Sequence, residues 1–175
     1  GISAAALQKL VGSAVRRSYS EGTILFVEGD PVVGFYLIES GHVKISRVSQ
    51  DGREYILLLL GEGDSFNEVA ALDGGPNPAT ATAHSDVVVH CILRHELRQI
   101  VSQHPDLAWA MIESMAQRAR HLLGIVQDLS MRSVKGRLAR LLLTQAEANE
   151  TDALPRMLTQ EEMASRLGTV REMVG

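Results

Sequence analysis

The chain is short of several residue types, and each shortage closes off a class of structures. Cys91 is its only cysteine. A lone thiol forms no internal disulfide and builds no Cys-ligated zinc or iron–sulfur site, which suits a reducing, cytoplasmic setting. Aromatic residues make up only 4% of the 175, so the core has to be largely aliphatic. The longest apolar run, Tyr55 to Leu60, falls far below the ~20 residues that a membrane-spanning helix needs. Gly1-Ile2-Ser3 opens the chain without a basic, then apolar, leader and without an initiator Met, which reads as a fragment or a processed start. A surplus of positive charge is missing too: the formal net charge is −4. The acidity is unevenly placed, however. Residues 1–130 hold 10 Lys/Arg against 15 Asp/Glu, whereas 131–175 hold 7 against 6. A nucleic-acid partner needs a local basic face rather than a basic whole. The chain also shows no P-loop, no nucleophile–base pair and no metal-ligand cluster, so neither catalysis nor a metal is expected. The spacing of Asp64, Glu68 and Asp73 is explained by turns and by the loop cassette that holds them.

What is present is an ordinary globular complement, 45% hydrophobic and 22% charged. A first helix is expected over residues 3–17, capped by Ser3, with Leu7, Leu10 and Val11 on one face. From about Tyr19 to Leu93, short β-prone runs alternate with Gly and Asp punctuation. Thr23 to Val27, Phe35 to Ile38, His42 to Val48, Tyr55 to Leu60, Thr80 to His84 and Val87 to Leu93 are the expected strands, and Asp51-Gly52 is a hairpin turn. Such spacing predicts a rolled antiparallel sheet. His95 to His104 reads as a short helix broken at Pro105.

The strongest periodicity follows. Asp106 to about Arg132 contains no proline, and Ile112, Met115, Ala119, Leu122, Val126 and Leu129 are spaced three and four in alternation. That is an a/d seam, expected to join two copies of the chain; a helix lying on its own sheet is the alternative. Ser133 to about Glu147 is a further helix on Val134, Leu138, Leu141 and Leu142, and the polar stretch from Asn149 to Pro155 is a loop.

Leu158 to Gly175 carries the sharpest local signal. Thr159-Gln160-Glu161-Glu162 is a capping box, in which Thr159 accepts from the Glu162 amide and Glu162 reaches back. Gly168 ends the short helix that follows, with Ala164 small where a second helix has to approach. Thr169-Val170-Arg171-Glu172 is a second capping box. Two capped helices about a glycine turn form a helix-turn-helix. In such a unit the first turn of the second helix meets the bases. Arg171 is expected to grip a guanine, while Glu172 either accepts from a cytosine amino group or only caps Thr169. Thr159 and Gln160 are placed to hold a phosphate. Gly175 falls before such a recognition helix is complete.

In this order the pieces resemble the Crp/Fnr family of bacterial transcription regulators over nearly the whole chain. Gly22 to Phe26, Glu28-Gly29-Asp30, Phe35 to Ile38 and Ser40 to Lys44 are similar to the opening strands of its cyclic-nucleotide-binding β-roll. Gly63 to Ala70 is similar to the start of the phosphate-binding cassette, Val134 to Ala139 to the helix after the hinge, and Leu158 to Ala164 with Gly168 to Glu172 to the DNA-reading unit. The resemblance implies an α+β chain: a double antiparallel jelly-roll over 1–105, a dimerisation helix over 106–132, and a winged helix-turn-helix, cut short, over 133–175. It implies a homodimer on an inverted-repeat operator, reoriented by a small-molecule or redox signal held in the roll. The effector site would comprise Phe66, Asn67, Glu68, Val69, Ala70, Asn77, Pro78, Ala79, Thr80, Leu122 and Leu123.

The pattern is also broken at telling places. Cyclic-nucleotide binders of the family pair a glutamate with the ribose and an arginine with the phosphate. Glu68 matches the first, but the arginine position falls on Pro78, and no Lys or Arg lies between Arg53 and Arg94. Leu122 and Leu123 stand where relatives place hydroxyls against the base. Neither cAMP nor cGMP is therefore expected to bind. Haem, another apolar organic effector, or no ligand remain open, since the six histidines show no ligand spacing. The rival reading is a cyclic-nucleotide-binding-like regulatory module of another signalling protein without DNA binding; the paired capping boxes argue against it.

Overall fold

The computed structural model describes residues 2–131, 133–149 and 159–169. Ser3 caps α1 (Ala4–Ser13) by accepting from the Ala6 amide. The expected helix over 3–17 is too long: the chain straightens at Ala14 into β1 (Ala14–Tyr19), which pairs antiparallel with β8 (Val87–Leu93) from Ala14↔Ile92 to Tyr19↔Val87. Leu10 is buried, but Leu7 and Val11 stay exposed, so the apolar face of α1 is narrower than its sequence implies.

The expected strands follow in order as β2 (Ile24–Phe26), β3 (Gly34–Ser40), β4 (Val43–Val48), β5 (Glu54–Leu60) and β7 (Thr80–Ala83), with a two-residue β6 (Ser65–Phe66), not expected, between β5 and β7. They form two four-stranded antiparallel sheets, ordered β1-β8-β3-β6 and β2-β7-β4-β5. Alternation sets which face is inside. Val43 and Ile45 are buried and Lys44 between them is only half-buried; Val87, Val89 and Cys91 repeat the pattern. Three of the seven aromatics gather at one place, where Phe26, Tyr36 and Phe66 lie within 6.0 Å of one another, with Tyr36 and Phe66 stacked at 4.9 Å. Burial pushes the Tyr36 phenol and the Cys91 thiol above their ordinary values. Gly34 is required where β3 meets β8, because a Cβ there would stand 2.2 Å from the Ile92 carbonyl oxygen.

A second apolar cluster gathers the helices. Ala6 and Leu10 of α1, Leu97 and Ile100 of α3 (Arg94–Gln103), and Leu107 and Met111 of α4 (Pro105–Met131) pack with Phe35, Ala71 and Ile92. Pro105 is the first residue of α4, where a missing N–H costs nothing. The chain then continues through α5 (Val134–Asn149) and α6 (Gln160–Leu167). Two compact units result, one of residues 1–47 and 58–118, the other of residues 48–57 and 119–175.

Candidate functional site

Residues 65–80 build the cassette. β6 leads into Asn67, whose backbone is left-handed at φ 67°, and then into a six-residue helix, α2 (Glu68–Asp73), not foreseen from the sequence. Gly74 closes α2 in the left-handed conformation at φ 81°, beside the Arg94 guanidinium. Asp64 and Asp73 do serve turns: they accept from the Gly61 and Gly75 amides.

The side chains expected to face an effector divide into three groups. Asn67 and Asn77 are buried and hold backbone together. The Asn67 amide nitrogen donates to the Gly34 carbonyl and to Asn77 Oδ1, both at 3.0 Å, and Asn77 Nδ2 donates to the Val27 carbonyl. The main chain of Asn77 pairs with Gly29 and Asp30 as well. Asn67 Oδ1 is buried without a partner among the described residues. Phe66, Ala70 and Ala79 belong to the core, Thr80 accepts from the Glu28 amide through its hydroxyl, and Val69 and Pro78 are exposed.

Glu68 forms the third group. It is only 3% exposed. Ser65 Oγ donates to its Oε1 at 2.5 Å, and Arg118 Nη1 donates to its Oε2. Arg118 Nη2 donates to the Ser65 carbonyl. Scanning the neighbours of Pro78 along the chain for a cation misses this one, since Arg118 lies 50 residues from Glu68. Its spacing from Leu107 and Met111, 11 and 7 residues, is the available signal: all three share one face of α4.

The residues expected to form a seam lie on the neighbouring face of α4. Ile112 is 50% exposed, Leu122 39% and Val126 58%; Ala119 is exposed and Met115 half-buried. Leu123 and Trp109 widen this row and are more exposed still. The side chain of Leu129 lies outside the described residues. A single chain thus leaves an apolar stripe open beside the face it buries.

In the C-terminal unit, Ser133 caps α5 by accepting from the Gly136 amide, and Arg137 Nε donates to the Leu167 carbonyl, fixing α5 to α6. The capping box forms as expected: Thr159 Oγ1 accepts from the Glu162 amide and Glu162 Oε2 accepts from Thr159 N. Ala164 and Leu167 are buried, Gly168 is left-handed at φ 62°, and the Thr169 amide returns to the Ala164 carbonyl. Gln160 is exposed at the start of α6. Val170, Arg171 and Glu172 lie outside the described residues. Among the described residues no His, Cys, Asp or Glu cluster is arranged for a metal, and no helix is long and apolar enough to cross a membrane.

Residues 16–104 match the family description "Cyclic nucleotide-binding domain". The chain is 34% identical to the CRP-like cAMP-activated global transcriptional regulator of Mycobacterium tuberculosis, over 99% of this chain and 80% of that one. Among solved structures it is similar to the c-di-GMP-responsive global regulator CLP of Xanthomonas campestris, with a TM-score of 0.83 at 21% identity over 98% of this chain and 88% of that one. It also resembles the catabolite activator protein of Thermus thermophilus, with a TM-score of 0.68 at 28% identity over 99% and 81%.

Proposed function

Since this chain belongs to the Crp/Fnr family of transcription regulators, we propose that it acts as a homodimer on an inverted-repeat operator and answers a signal other than cAMP or cGMP held in its roll. It is a regulator rather than an enzyme. The observation that carries the reading is the joining on one chain of an effector cassette, residues 65–80, to a capped helix closed by the left-handed Gly168. Residues 1–105 are the sensor, 106–132 the dimerisation helix and 133–175 the DNA-reading part. The exposed row Ile112, Ala119, Leu122 and Val126 supplies the seam between copies. Thr159 and Gln160 hold a phosphate, and Thr169 to Glu172 open the reading helix, with Arg171 on a base edge.

Several relatives carry names that say cAMP-activated. This chain departs from their ligand chemistry at Pro78, which offers a cyclic phosphate neither a cation nor an N–H, and at Leu122 and Leu123, which offer the base no hydrogen bond. Gel-shift titration of the full-length protein on inverted-repeat duplexes enriched by in vitro selection tests the DNA reading. Arg171→Ala should cost roughly 1–3 kcal/mol at one base position; equal loss on every sequence would make Arg171 a phosphate contact, and no binding to any duplex would overturn the function. Calorimetry should find no cAMP binding, and micromolar affinity would overturn the exclusion.

A further inference from the structure

We propose that Arg137 is a positioning residue for DNA reading: from the first turn of α5 it holds the last carbonyl of α6, and so sets the direction in which the chain leaves the Gly168 turn. This rests on the reading of residues 159–172 as the part that meets DNA.

The last carbonyls of a helix have no partner within it. At the end of α6 the Gly168 and Thr169 amides both return to the Ala164 carbonyl, so neither serves Leu167. Leu167 is buried, and a buried carbonyl has to find its donor in the protein. Arg137 Nε supplies that donor at 3.1 Å. The guanidinium charge also lies at the negative end of the α6 dipole, where a cation is favoured.

Arg137 is itself held in place. Its amide donates to the Ser133 carbonyl at 3.0 Å, and the Ser133 hydroxyl caps the same turn by accepting from Gly136. The residue is half-buried rather than extended into solvent. The route from the start of α5 to the turn is therefore short: Ser133, the main chain of Arg137, its Nε and the Leu167 carbonyl. Met131 ends α4 only two residues before Ser133. A tilt of the first turn of α5 passes through that bond to the end of α6, and residues 168–172 follow directly from there. Contacts to base edges demand a narrow range of orientation, whereas phosphate contacts carry no sequence information. Losing the bond should accordingly cost more on a selected sequence than on an arbitrary one.

Two substitutions separate the bond from the charge. In Arg137→Met a methyl stands where Nε was, and the donor is lost. In Arg137→Gln the amide nitrogen stands at the same place along the side chain, so a donor is kept without the charge. Gel-shift titrations of the full-length variants compare duplexes selected with the wild type against unrelated ones. Arg137→Met should weaken binding about tenfold on selected duplexes and less than about twofold on unrelated ones, while Arg137→Gln should stay within about threefold of the wild type on both. Hydrogen exchange should find the Thr169 amide protected in the wild type and about tenfold faster in Arg137→Met. Equal losses in the two variants would overturn the positioning role, and a shallower salt dependence with them would make Arg137 a phosphate contact. Wild-type affinity or wild-type Thr169 exchange in Arg137→Met would overturn it as well. Should Arg137→Met not fold, Arg137→Gln decides: near-wild-type binding supports the bond, and a loss of about tenfold overturns it. Absence of DNA binding by every form, with Thr169 faster in Arg137→Met, would overturn the DNA reading and the positioning role with it, and keep only the tie between α5 and α6.

Discussion

Removing the side chain of Asn77 should loosen the cassette by a calculable amount. Asn77 is 2% exposed and its side chain makes two hydrogen bonds, accepting from Asn67 Nδ2 at 3.0 Å and donating to the Val27 carbonyl at 3.3 Å. The Val27 carbonyl also accepts from the Asp30 amide, so Asn77→Ala does not orphan it. One N–H of Asn67, by contrast, would be left buried and unpaired. Two net bonds at about 1 kcal/mol each, with part of a desolvation penalty, give a loss of roughly 2–3 kcal/mol. For a chain of this size that lowers Tm by roughly 5–10 °C and the urea midpoint by about 1 M, with an unchanged slope. Substitutions at Asn67 separate the clamp from the backbone. Asn67→Gly and Asn67→Ala remove the same amide, but only alanine is strained at φ 67°. The alanine variant should be the less stable by about 1 kcal/mol. Urea titrations followed by circular dichroism decide both points. Asn77→Ala within 0.5 kcal/mol of the wild type, at about the resolution of such titrations, would refute the clamp; Asn67→Ala equal to Asn67→Gly would refute the left-handed cassette turn.

Glu39 gives a pH test. Hydrogen bonds from Arg16 and from His90 lower its carboxyl from 4.5 to about 2. Its folded value is the depressed one, so its stabilising contribution is complete above about pH 4.5 and is lost as the pH falls toward 2. Carboxyl NMR should show that midpoint, and Arg16→Ala should move it upward; an unchanged midpoint would refute the attribution. On α4, Leu122→Glu should leave a folded chain that sediments as a 19.0 kDa monomer, whereas Met111→Ala should destabilise the sensor by about 2–5 kcal/mol without changing the assembly. A Leu122→Glu protein that still sedimented as a dimer would place the seam elsewhere. Thr159→Ala should weaken α6 by about 1 kcal/mol, read as faster amide exchange in its first turn.

β4, β7 and β8 were legible because alternate residues along them are buried: the alternation in His42 to Ile45, in Thr80 to Ala83 and in Val87 to Cys91 reflects the pleat directly. β1 was not. Its sequence, Ala-Val-Arg-Arg-Ser-Tyr, is exposed along most of its length, so no alternation marks it. It is a strand because β8 pairs with every residue of it, and that partner lies some 70 residues away. α2 escaped for a related reason. Six residues are too few for a period to register, and its start is set by a left-handed asparagine held by Gly34 and Asn77 rather than by a capping side chain. The Thr159 box and the Gly168 turn were legible because every partner lies within five residues. Arg118 was harder to read: its spacing from Leu107 and Met111 places it on the buried face of α4, but its partners Glu68 and Ser65 lie 50 and 53 residues away.

Pro78 now has a physical reading beyond the arginine it replaces. A loop that receives its order from a bound phosphate can be loose until the phosphate arrives. The segment from Gly74 to Ala79 has other means of order. Pro76 and Pro78 flank Asn77 and restrict the unfolded chain on both sides of it. Asn77 itself is tied by main-chain bonds to Gly29 and Asp30 and by side-chain bonds to Val27 and Asn67. Four ties converge on one residue, and none involves a group a ligand would supply. At the opposite end of the cassette Glu68 is likewise satisfied from within, by Ser65 and Arg118. The absence of a cation at Pro78 and the internal ties point the same way: neither gives a bound phosphate a part in holding the segment. A cassette ordered at both ends by its own chain has little ordering left for a ligand to do.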